Sequence, residues 1–254
     1  MEPRLVPLPQ PVFVPASGTR HSIPDRVAAA MLLALFMGAL LAPTHLRAAD
    51  GKTDLMLARD CGKGDGCTQT WTLTSRLGHI LESYEKRLGP VNRAYRLLGI
   101  EFTSGPRPRI WYPNFGSGPK SIIIQLTQRA RTAPELALFQ LAHEAFHLLN
   151  PVKPGASASV LEEGLASYFA TRYLEANAIA ERARPPAEAA YKSAYDTVAG
   201  LAARYPDFDQ RLHRFRELNG GFSNASPDKI RAAFPSIKAR DAGRLAASFE
   251  KATN

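Results

Sequence analysis

Leu141-Ala142-His143-Glu144-Ala145-Phe146-His147-Leu148-Leu149 is the stretch of this 254-residue chain on which the fold turns. Its apolar residues, with Leu136, Leu138 and Phe139 just upstream, fall nearly all round a helix rather than along one stripe. That pattern predicts a helix buried inside a domain. Two imidazoles and a carboxylate interrupt the apolar surface. Residues four apart lie on one face of a helix with Cβ atoms roughly 5–6 Å apart, so His143 and His147 can reach one metal ion while Glu144 projects beside it. Buried ionisable groups need partners, and a metal ion with its substrate supplies them. Two ligands do not hold a catalytic zinc, so a third is expected elsewhere in the chain.

The flanks give the helix its limits. Thr132-Ala133-Pro134-Glu135 reads as a capping box, with Thr132 as the cap, Glu135 reaching back and Pro134 in the first turn. Asn150-Pro151 ends the helix after Leu149. Upstream the texture is that of strands: Ile100-Glu101-Phe102, then residues 107–112, a Gly-rich turn at 115–118, and residues 121–127. A small sheet is therefore expected just before the helix, with 121–127 as an edge to which an extended peptide could add. Further upstream, Leu77, Ile80, Leu81, Tyr84 and Leu88, then Val91, Ala94, Tyr95 and Leu98, recur at helical spacing on either side of Gly89-Pro90. This predicts two consecutive helices.

Downstream, Ser159 opens another helix that carries Glu162-Glu163-Gly164-Leu165-Ala166. Here the chain resembles the gluzincins, zinc peptidases in which a His-Glu-x-x-His helix is followed by a second helix with a Glu ligand, often within Glu-x-x-Ala. The resemblance covers roughly residues 107–173. It implies a zincin-like fold, one zinc ion, and Glu163 as the third ligand beside His143 and His147. It also implies hydrolysis of peptide bonds, with Glu144 as the general base and a peptide or protein as substrate. Ser159 and Glu162 form a second capping box that occupies Glu162, and Gly164 and Ala166 are small enough for a close helix crossing. The match departs from the thermolysin-like pattern at Ser167, where those enzymes carry an Asp that orients a ligating His. It also lacks the Gly-x-Met-Glu-Asn motif of the aminopeptidase branch. An oxyanion stabiliser is expected among Tyr168, Tyr191, Tyr195 and His213, with Tyr195 favoured.

The rest of the chain reads as helices over 187–218, broken at Tyr205-Pro206, stopped at Asn219-Gly220-Gly221, and resumed from Ser226-Pro227 with an interruption at Phe234-Pro235. The fold class is therefore α+β and mainly helical. It comprises an N-terminal segment, 1–49, and one domain over 50–254, with a core at about 70–180 and a helical C-terminal part at about 187–254. Residues 27–42, VAAAMLLALFMGALLA, follow Arg20 and Arg26 in the layout of a signal peptide or signal anchor. The domain is accordingly expected to be periplasmic or secreted, or held at the inner membrane. Cys61 and Cys67 would then close one short disulfide loop. The formal charge of +9 comes from scattered Arg and Lys with acids interleaved, a solvated surface rather than a nucleic-acid site. A membrane-anchored zincin-like binding or assembly protein without peptidase activity is the alternative; keeping Glu144 between two ligands argues against it.

Overall fold

The computed structural model describes residues 72–113, 120–177 and 186–250. The apolar run 27–42, the Cys61/Cys67 loop and the Gly-rich turn at 115–118 lie outside the described residues. Helix α1 (Leu73–Leu88) starts at a true capping box: Thr72 accepts from the Ser75 N–H, and Ser75 accepts from the Thr72 N–H. Its Leu77, Ile80, Tyr84 and Leu88 form the buried face.

The second helix expected after Gly89-Pro90 does not form. Residues 96–98 instead begin strand β1 (Arg96–Thr103), which contains the expected Ile100–Phe102 segment. Four apolar residues in eight fit either period. Pairing decides the matter, because β1 lies parallel to β3 (Ser121–Thr127), with Ile100 opposite Ile124 and Phe102 opposite Leu126. Strand β2 (Arg109–Trp111) pairs antiparallel with β3 on its other side. The order is thus β1-β3-β2. β3 occupies the middle of the sheet, so it is not the edge expected from its sequence. A polar row, Glu101, Gln125 and Arg109, crosses all three strands: Arg109 Nε donates to Gln125 Oε1 at 2.6 Å and Gln125 Nε2 to Glu101 Oε1 at 2.5 Å. On the other face of β3, Ile122, Ile124 and Leu126 are buried.

A 3-10 helix (Gln128–Thr132) leads into α2 (Pro134–His147). Thr132 belongs to that 3-10 turn, so the expected capping box is absent: the cap is Ala133, without a side-chain bond, and Pro134 occupies the first turn. Gln140 ties α2 to the end of β3, accepting from the Thr127 N–H at 3.0 Å and donating to Thr127 Oγ1 at 2.9 Å. Tyr84 of α1 donates to the Ala142 carbonyl at 3.1 Å. Helix α3 (Val160–Ala176) begins at Ser159, whose hydroxyl accepts from the Glu162 N–H at 3.1 Å.

Four helices complete the described residues: α4 (Ala189–Arg204), α5 (Phe208–Asn219), α6 (Pro227–Ala233) and α7 (Ala239–Ala246). Gly220 ends α5 with φ of 66°, a conformation that glycine adopts without steric cost. Phe146 of α2 stacks on Phe169 of α3 and on Phe222 of the α5–α6 loop, centroids 5.4 and 5.3 Å apart, so the helix carrying the histidines sits at the centre of the core. The described residues are mainly helical with a small three-stranded sheet, and none of their helices is long and apolar enough to cross a membrane.

Candidate metal centre

The sequential order His143, His147, Glu163 becomes one buried cluster, in which one ligand atom from each residue lies within 4.8 Å of the others. His143 Nε2 is 3.1 Å from Glu163 Oε2, and His147 Nε2 is 3.6 Å from Glu163 Oε1. A tetrahedral zinc site with bonds of about 2.0–2.1 Å places neighbouring ligand atoms roughly 3.3–3.4 Å apart, close to each of these separations, which run to the two different oxygens of the Glu163 carboxylate. The donor set therefore fits one metal ion.

The outer nitrogens of both rings strengthen that fit. His147 Nδ1 lies 2.8 Å from Glu162 Oε1, and His143 Nδ1 lies 3.4 Å from the Ser167 hydroxyl. With a proton on each Nδ1, each Nε2, which faces Glu163, could give up its own proton and offer its lone pair to a metal, the arrangement found when a ligating histidine is oriented by a second partner. The expected capping box is only half formed, because the Ser159 N–H goes to Ser223 Oγ at 3.1 Å and not to Glu162. The Glu162 backbone N–H goes to Ser159, while its carboxylate holds His147 and also accepts from the Ser223 hydroxyl. Sequence reasoning missed this role because the capping pattern gave Glu162 a sufficient one. Ser167 stands where the thermolysin-like pattern has its orienting Asp, although at 3.4 Å its contact with His143 is long.

The electrostatics reflect burial and proximity. Burial opposes a charged His147, but Glu163, the hydrogen bond to Glu162 and Glu144 outweigh it and raise the imidazole from 6.5 to about 10. For Glu163 burial acts upward, yet His147, His143 and Arg107 hold the carboxyl below its ordinary value. Glu144 goes the other way. Burial raises it, with Glu163 adding to the effect, against His143, His147 and a hydrogen bond from the Ile110 N–H of β2. Two adjacent carboxyl groups of one helix pair thus have opposite tendencies, one suited to remain an anion and one to accept a proton.

The aromatic candidates separate by position. Tyr191, in the first turn of α4, packs its ring edge on His143 with centroids 5.8 Å apart. Burial raises its phenol strongly, and Glu163 and Glu144 raise it further. Tyr195, favoured from the sequence, lies against Tyr168 at 6.3 Å, and its charged neighbours are Glu175, Asp196 and Arg172 rather than the cluster. Tyr168 packs on Phe169 and Phe208; His213 faces Glu217 at 3.4 Å. Tyr112 also feels Glu162 and Glu144, but its hydroxyl is committed to the Val152 carbonyl at 2.7 Å.

Comparison with known family models, curated proteins and solved structures finds no match to this chain.

Proposed function

We propose that the chain is an exported zinc-dependent metallopeptidase of gluzincin type, with a zincin-like fold and His143, His147 and Glu163 as ligands of one zinc ion. The observation that carries this reading is the pair of Nε2 atoms facing Glu163, with each Nδ1 held by its own partner and Glu144 standing alongside. Zinc held by these three residues would supply Lewis acidity, bringing a water's pKa to about 7 and polarising a carbonyl. Glu144, lifted by burial and not needed as a ligand, would be the base that accepts the proton of the attacking water and hands it to the leaving amine. Tyr191 replaces Tyr195 as the candidate donor to the developing oxyanion, because its phenol stays protonated and its ring lies on His143. The strand that packs against α2 from the edge of the sheet is β2, so an extended peptide is expected along β2 rather than β3.

The test is metal analysis and peptide cleavage with the purified chain lacking residues 1–49. The expected results are one zinc per chain, cleavage within a broad quenched-peptide library, and a loss of at least about 100-fold in Glu144→Gln with zinc retained. Full activity in that variant would overturn the assigned mechanism. Glu163→Ala should lose the metal; full occupancy would mean that another residue is the third ligand.

A further inference from the structure

One charged pair near the cluster is left without a role by the mechanism. Arg107 lies on the β1–β2 loop, and its guanidinium sits over the ring of Tyr191, 5.8 Å from the centroid. Tyr191 in turn packs on His143, with centroids 5.8 Å apart. One aromatic ring therefore separates the guanidinium from a proposed metal ligand, and the Arg107 charge is felt at Glu163. The partner of Arg107 is Glu188, the residue that caps α4. Both side chains are about half exposed, at 54% and 46%, and an ion pair in that setting contributes little to stability. A carboxylate from solution can exchange with one so held.

The loop backbone that carries Arg107 is restricted. Pro106 and Pro108 bracket Arg107; each fixes its own φ, and the residue before a proline is confined to extended conformations. Gly105 N–H is tied to Thr103 Oγ1 at 3.1 Å, anchoring the turn to the end of β1. Two residues beyond Pro108 comes Ile110 of β2, the strand that packs against α2 and its Glu144. A peptide running along β2 past Glu144 would thus pass within a few residues' length of a forked cation.

We infer that Arg107 is a specificity residue of this site, binding a carboxylate of the peptide substrate close to the bond that is cut, and that Glu188 fills the same guanidinium in the free protein. The inference rests on the peptidase reading of the metal centre. The carboxylate is either an acidic side chain or a free C-terminus, since the guanidinium fork serves both.

Binding to the zinc-loaded Glu144→Gln protein tests it without turnover. Three fluorescent peptides of one sequence are compared by anisotropy: neutral with an amidated C-terminus, neutral with a free C-terminus, and amidated with one Glu. At least one carboxylate peptide should bind about tenfold more tightly than the neutral one, and the identity of that peptide names the source of the carboxylate. The advantage should shrink with added salt, fall to about onefold when Arg107→Gln is introduced, and grow when Glu188→Gln is introduced. Equal binding of all three peptides, or an advantage that survives Arg107→Gln, overturns the inference and leaves the peptidase reading standing. If no peptide binds and the zinc-loaded parent cleaves none, both fall.

Discussion

At the scale of single residues, a metal ion entering the cluster has to displace a proton. In the zinc-free protein Glu163 and Glu162 keep His147 protonated, raised to about 10. Its contribution to stability is present in full below about 6.5, the ordinary imidazole value, and is lost as pH rises toward 10. Metal binding needs the Nε2 lone pair, so zinc uptake at pH 8 should release about one proton from His147. Titration calorimetry in two buffers of different ionisation heat reads this directly; an enthalpy independent of buffer would contradict it. Tyr191→Phe should lower kcat by about 10²–10³-fold, as loss of one oxyanion donor does, while Tyr195→Phe should stay near the parent. The reverse order would restore the sequence-based choice. The grouping of His143, His147 and Glu163 was legible in the sequence because their spacing is local to one helix and the start of the next. Tyr191 and Tyr195 were not separable. They share a face of α4 and differ by about one turn along its axis, and only the packing of α4 on α3 decides which reaches His143.

At the scale of elements, the position of Glu163 depends on how closely α3 approaches α4. A Cβ added at Gly164 would lie 2.7 Å from the Ala194 carbonyl oxygen and 2.8 Å from Val198 Cγ2. The neighbour is backbone, which cannot swing aside. Gly164→Ala should therefore push the helices apart, destabilise by about 1–3 kcal/mol and weaken zinc binding by displacing the adjacent ligand. Thermal unfolding and zinc titration of that variant check both effects, and a variant with parent stability would show that α4 moves freely. Small residues at 164 and 166 were read as a close crossing, and Gly164 makes one with α4. The elements misjudged from sequence have other causes. The capping box at Thr132 gave way to another local structure, the 3-10 turn leading out of β3, and the 91–98 segment had a plausible local reading that a long-range contact, β1 pairing with β3, overrode. The edge role of 121–127 failed similarly, since alternation marks a strand and says nothing of its neighbours.

At the scale of the whole molecule, the C-terminal part holds both ends of the loop that joins α2 to α3. Arg216 of α5 is buried with no ion pair to a carboxylate among the described residues and donates instead to three main-chain carbonyls, those of Leu88 at 2.7 Å, Pro90 at 2.5 Å and Leu149 at 2.7 Å, and to the Asn150 side chain. The carbonyls at the ends of α1 and α2 that have no helical donor are thereby satisfied by a residue far along the chain. At the other end, the start of α3 is pinned by Val160 N–H to Ala247 O and by Phe249 N–H to Ala158 O, both 2.9 Å, while Ser223 holds Glu162. The site therefore cannot form on α2 and α3 alone, and residues 72–250 should unfold as one unit. Zinc bound only by the native state at 100 times its dissociation constant adds about 2.7 kcal/mol, which for a domain of this size raises Tm by about 5–11 °C. Calorimetry should show a single transition that shifts as a whole by that amount. Two transitions, with only one moved by zinc, would mean that α5–α7 form a separate unit and that Arg216 and Ser223 are not needed to build the site.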